Sequence, residues 1–181
     1  MNLTHKKQKL STWSAKALFL FVALVSFASC KDDAPSYYIT PEQIEAQKKL
    51  DEETIRKYFR VNNVDTTKVV RLNSGLYILT KKEGEGDKIK PGQYAEVNYV
   101  GMNVNNDVFD SSFRAGKSYT VLVGAVPKQV IAGWDEGLQQ MRKGEEANLY
   151  IPSYLGYGMY GSGSIPPNSV LIFEIDVLQV R

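Results

Sequence analysis

The segment Val130-Ile131-Ala132-Gly133-Trp134-Asp135-Glu136-Gly137-Leu138-Gln139-Gln140-Met141 constrains the fold more than any other part of the sequence. Leu138 and Met141 follow Trp134 at helical spacing, which predicts a short helix starting near Gly133. Asp135 and Glu136 fall in its first turn, where the helix dipole favours negative charge. A helix this short is not stable alone. It must be clasped by the strand-like segments on both sides, with Trp134 at the base of whatever cavity those strands leave open. Taken by itself, the segment reads equally well as a core helix carrying a core tryptophan.

The composition narrows the chemistry once the N-terminal leader is set apart. Lys6, Lys7, Lys9 and Lys16 make residues 1–29 basic, with no acidic residue among them. Ala17 to Phe27 is an apolar run of secretory-signal length, short for a membrane span. Ala28-Ser29-Cys30 closes it with small residues and the only cysteine of the chain. The pattern resembles a bacterial lipoprotein signal cut before Cys30, which would carry the lipid; Phe27 is bulkier than the usual residue three places before that cysteine. The other reading is an ordinary signal peptide with a spare thiol. Removing four lysines from 22 Lys and Arg leaves 18 against 20 Asp and Glu, a formal charge of −2. No basic stripe remains to suggest nucleic acid. His5, the only histidine, leaves with the leader. The remainder therefore cannot build Ser-His-Asp or Cys-His catalysis or a His/Cys zinc site. Its chemistry must use tyrosine, carboxylates, lysine, hydroxyls or the backbone.

Residues 30–39 read as a polar tether, in which the acidic run after Cys30 is either an address for the outer surface or simply solvated. Thr40 to about Arg60 reads as a helix: Thr40 is a good N-cap, Pro41 suits the first helical position and Gln43 completes a capping box. Its apolar stripe is weak, with Ile55, Tyr58 and Phe59 the firm part. The expected role is a spacer packing its C-terminal end on the domain; a dimer contact is the alternative. Residues 61–73 read as a polar connector. Strand-like runs follow at Leu76–Thr80, Gln93–Val104, Val108–Phe109, Tyr119–Val123, Ala147–Ile151 and Val170–Val180, punctuated by Pro91-Gly92, Asn105-Asn106-Asp107 and Lys143-Gly144. Pro152 to Asn168 is a long loop rich in Gly, Tyr and Pro. Mostly antiparallel strands with one short helix define an α+β fold.

Residues from about 70 to 181 resemble the FK506-binding-protein (FKBP) type peptidyl-prolyl isomerases. The pieces that carry the resemblance are Val97-Asn98-Tyr99-Val100-Gly101, Phe109-Asp110-Ser111-Ser112, Val130-Ile131-Ala132-Gly133-Trp134, Tyr157-Gly158, Ile165-Pro166-Pro167 and Leu171-Ile172-Phe173-Glu174. The resemblance implies a curved antiparallel sheet wrapped around the short helix. The upstream helix and leader are similar to lipid-anchored members of the family, including those linked to gliding motility. By position, the resemblance makes Trp134 the pocket floor beneath a proline ring and Tyr99, Phe109, Val130 and Phe173 its walls. Tyr119 stands where the family usually has Phe. The Ile131 N–H and the Tyr157 hydroxyl would hold substrate carbonyls. Asp110 would face the reacting carbonyl carbon and accept a hydrogen bond from Tyr99, and Ile165 would sit on the overhanging loop. Core packing is the plainer reading of each, above all of Val130 and Phe173. The family often has Arg six residues after the Phe of Phe-Asp-Ser-Ser; here that position is Ala115 and Arg114 comes one residue early, so the charge partner of Asp110 stays open. The segment from Gly124 to Gln129 is longer than in small family members.

The implied reaction suits a remainder that has no histidine once the leader is set apart. Rotation about an X–Pro bond needs no nucleophile, metal or cofactor; it needs an apolar box that desolvates the amide and a donor that holds the carbonyl. The expectation is an isomerase acting on proline-containing exported polypeptides, inhibited by FK506-class macrolides and anchored in the cell envelope, outer membrane included, through lipid on Cys30. The alternative is a lipid-anchored Pro-peptide clamp or scaffold with negligible turnover.

Overall fold

The computed structural model describes residues 39–181; the leader, Cys30 and nearly all of the tether lie outside the described residues. Helix α1 spans Pro41–Val61 and is set by its cap. The Thr40 hydroxyl accepts the Gln43 N–H at 3.3 Å while Gln43 Oε1 accepts the Thr40 N–H at 2.9 Å, satisfying two donors that the first turn would otherwise orphan. Seven strands follow: β1 (Val69–Arg71), β2 (Tyr77–Lys82), β3 (Tyr94–Met102), β4 (Val108–Ser111), β5 (Tyr119–Leu122), β6 (Glu146–Ile151) and β7 (Leu171–Val180). Helix α2 (Ala132–Leu138) lies between β5 and β6 in the chain. No described helix is long and apolar enough to cross a membrane.

All pairings are antiparallel, in the order β1-β2-β6-β7-β3-β4. β5 also pairs with β3. β4 and β5 share one edge of β3, β4 against its C-terminal half and β5 against its N-terminal half. Alternation along the strands sorts the side chains to two faces. Val97, Leu149, Phe173, Ile175 and Val177 point to the face where Trp134, Leu138 and Met141 of the helix segment complete the main core. Tyr77, Leu79, Tyr150 and Ile172 point the other way, to a second cluster closed by Ile55 and Phe59 of α1. The sheet is therefore covered on both faces, the second by the helix whose stripe was weak in sequence.

α2 sits close to the sheet because two of its residues have no side chain. A Cβ on Gly133 would lie 2.5 Å from Ile151 Cγ2, and one on Gly137 would lie 2.4 Å from Leu149 Cδ1. The pair faces β6 one helical turn apart. Two expectations need correction. The connector at 61–73 contains β1, which pairs with β2; its three residues are half-buried or exposed, so no alternation betrayed it. Of the two acids read into the first turn of α2, only Asp135 is there, and it is buried.

Candidate active site

A cavity of about 420 Å³ opens beside α2, between it and the strands. Every pocket residue expected from the sequence lines it: Tyr99 from β3, Phe109 and Asp110 from β4, Tyr119 from β5, Val130 and Ile131 from the approach to α2, Trp134 from α2, Tyr157 and Ile165 from the 152–169 loop, and Phe173 from β7. Their convergence follows from register. Gly101 faces Phe173 across β3 and β7, and Tyr99 faces Ile175 on the same sheet face. A Cβ on Gly101 would stand 2.6 Å from Phe173 Cε1 and 2.8 Å from Phe109 Cε2. The bare backbone there is what lets both rings enter the wall.

The indole of Trp134 is boxed by perpendicular rings: Tyr99 at 5.0 Å and 86°, Phe173 at 5.2 Å and 87° between centroids and planes. Phe109 meets Phe173 edge-on at 5.6 Å. These edge-to-face contacts place the positive edge of one ring on the negative face of the next. The Trp134 Nε1 is buried and has no hydrogen-bond partner among the described residues.

The polar groups stand at the mouth. Tyr99 donates its hydroxyl to Asp110 Oδ2 at 2.7 Å, and the Ser111 N–H donates to Asp110 Oδ1 at 2.8 Å. Burial, then this bond and the carboxylate charge, hold the Tyr99 phenol far above its ordinary value. Burial, then the charge of Asp110, also raises Tyr157. Neither the Tyr157 hydroxyl nor the Ile131 N–H makes a hydrogen bond among the described residues, so both are open donors. The question about Asp110 resolves against an ion pair: Arg114 Nη2 donates to the Val108 carbonyl at 3.2 Å instead. Ser111 and Ser112 build the turn, as Ser112 Oγ accepts the Tyr99 N–H at 3.0 Å and Ser111 Oγ accepts the Phe113 N–H at 3.1 Å.

Sequence reasoning missed some of the lining and most of its support. Gln129 and residues 162–164 also face the cavity. Gln129 Oε1 accepts the Leu122 N–H at 3.1 Å, tying the rim to β5. Asp135 accepts the Gly124 N–H at 2.6 Å and an ion pair from Lys128, so one buried carboxylate closes the long 124–129 segment. An acid in a first turn was visible in sequence; its use as a loop anchor was not.

An antiparallel sheet packed on one short helix, with an aromatic cavity at their junction, is the architecture of a known class. The chain matches the family model for FKBP-type peptidyl-prolyl cis-trans isomerases over residues 85–178. It is 42% identical over 107 residues to an FK506-binding protein of Neisseria meningitidis, a match covering 59% of this chain and 96% of that protein. It is 43% identical over 115 residues to the FKBP-type peptidyl-prolyl cis-trans isomerase FkpA of Buchnera aphidicola, covering 62% of this chain and 44% of that one. The crystal structure of FkpA from Escherichia coli superposes with a TM-score of 0.63 at 31% identity, over 77% of this chain and 65% of that one. The chain belongs to the FKBP-type peptidyl-prolyl cis-trans isomerase family. It spans about half the length of the longer relatives it matches.

Proposed function

We propose that the chain accelerates cis–trans isomerisation of X–Pro bonds in exported polypeptides, from a lipid anchor on Cys30 in the cell envelope, on the periplasmic or surface face of the outer membrane. The observation that carries the reading is the pairing of the Trp134 floor with two open donors, the Ile131 N–H and the Tyr157 hydroxyl, at one cavity. Amide resonance sets a barrier of about 18–20 kcal/mol. It is lost in the twisted transition state, which is less polar than the planar amide. The proline ring enters over the indole between Tyr99, Phe109, Val130 and Phe173. Leaving water there favours the twisted form, and the two donors fix the substrate carbonyls. Asp110, oriented by Tyr99, faces the reacting carbonyl carbon. Each ~1.4 kcal/mol so gained gives tenfold in rate. FK506-class macrolides, whose ring and dicarbonyl have the same shape and polarity, are the corresponding inhibitors; the Neisseria relative carries the name FK506-binding protein.

The test is a proline-isomerisation assay on a soluble form from residue 31, with and without macrolide. Acceleration that the macrolide abolishes is expected. Macrolide binding without any acceleration would leave a Pro-peptide clamp or scaffold instead. The anchor has its own test. Cys30→Ser should abolish incorporation of radiolabelled lipid and leave the precursor poorly cut; normal incorporation would refute lipidation at Cys30.

A further inference from the structure

Helix α1 meets the loop of the site through a buried polar contact. Asp51 is 2% exposed and Ser153, at the root of the 152–169 loop, is 1% exposed. Both donors of Ser153 go to the same oxygen: its N–H reaches Asp51 Oδ2 at 2.8 Å and its Oγ at 2.7 Å. Gln47 Nε2 donates to the other oxygen at 2.8 Å. A carboxylate removed from water is costly unless hydrogen bonds replace its hydration, and these three donors carry no formal charge. Charge-assisted bonds are short and directional. Two of them from one residue fix the orientation of the Ser153 peptide as well as its position, which an apolar contact would not do.

The short path from Ser153 to the cavity is stiff. Ser153–Leu155 is a single 3₁₀ turn. Within it the Tyr154 hydroxyl donates to the Ser74 carbonyl at 2.9 Å, and the Tyr154 ring lies 5.7 Å from Lys48 Nζ of α1. Leu155 packs on the main core, and the position of a Gly156 Cβ is 3.1 Å from Leu171 Cδ1. The next residue is Tyr157, which lines the cavity.

We infer that Asp51 is a positioning residue of the isomerase site: through Ser153 it holds the root of the 152–169 loop, and so Tyr157, in the geometry the cavity requires. The inference rests on the isomerase reading above and makes α1, which lies before the family match at residues 85–178, part of the working enzyme.

The test uses the full chain purified in detergent, with Asp51→Leu, Asp51→Asn, Ser153→Ala and Ile55→Val compared with wild type. Isomerase kcat and KM are measured on a proline peptide, and amide hydrogen exchange is followed at residues 153–160 and in β3 and β7. Asp51→Leu should speed exchange in the loop relative to the strands and lower kcat/KM by about tenfold, the scale of losing charge-assisted bonds that position a reacting group. Asp51→Asn keeps an acceptor for Ser153 and should fall between. Ile55→Val loosens the same helix without touching Ser153, and should lower stability while leaving loop exchange and kcat/KM unchanged. If Asp51→Leu does not fold, Ser153→Ala, which keeps the backbone bond, carries the test with a smaller change in the same direction. Altered melting with unchanged loop exchange or unchanged kcat/KM would reduce Asp51 to a packing contact and overturn the inference. A wild-type chain without turnover would refute the isomerase reading alone; loop exchange in the Asp51 variants then decides whether the anchor exists.

Discussion

Tyr157 and Asp110 line one cavity, and substitution separates the roles proposed for them. Tyr157→Phe removes an open donor without opening a void. Macrolide affinity should weaken by about 0.5–1.5 kcal/mol while the unfolding midpoint stays in place; titration calorimetry and denaturant melts read the two. On the proposed mechanism, in which the carboxylate faces the reacting carbon as the amide twists, Asp110→Ala should depress kcat more than ligand affinity. The same variant has a spectroscopic consequence. Burial, then the hydrogen bond and the charge of Asp110, raise the Tyr99 phenol; deleting the two causes that Asp110 supplies should bring its phenolate absorbance in at lower pH than in wild type. No shift of that band would mean that Asp110 does not help to hold Tyr99 neutral.

At the scale of elements, α1 is joined to the sheet by more than its stripe suggested. Phe59 meets Tyr150 edge-on at 4.7 Å and Tyr77 at 5.5 Å. Glu52 adds a polar seam, bonded to Tyr77 and paired with Arg71 Nε at 3.1 Å. Phe59→Ala should cost about 3–5 kcal/mol of stability, seen as a lower denaturant midpoint; a loss below ~1 kcal/mol would put α1 back in the role of a spacer. What sequence revealed of these elements was what local chemistry controls. The Thr40–Gln43 capping box, the Ile55 and Phe59 spacing and the short helix at Trp134 all depend on residues a few positions apart, and all stand where the spacing put them. Most of the aromatic pocket set was readable because Tyr99, Phe109, Trp134, Tyr157 and Phe173 each sit in a short family motif, while Tyr119 was placed by position alone. Asp51 and Ser153 are 102 positions apart, and no periodicity announces such a partner. Gln129 and the serines at 162 and 164 shape the cavity rim as small or polar loop residues, which by composition look like any other loop.

At the scale of the molecule, the tyrosines set an alkaline limit. Tyr58, Tyr77, Tyr99, Tyr150, Tyr154 and Tyr157 are all raised above the ordinary phenol value of 10.0, with burial the leading cause in each. A folded-state pKa above the unfolded one favours the fold while both states are protonated. That advantage is lost as pH rises from the unfolded value through the folded one. Stability should therefore be insensitive to these groups near neutrality and fall once pH passes 10.0, as thermal melts across pH 8–11 would show; a flat profile above that point would contradict the burial of the phenols. One feature of the topology bears on the order of assembly. Without β7 the strands form two separate pieces, β1-β2-β6 and β3 with β4 and β5, and β7 alone joins them. It is also the strand made after the other described strands. Until residues 171–180 are in place the aromatic wall is therefore divided between two unjoined half-sheets, and the cavity is closed only when β7 has paired with both.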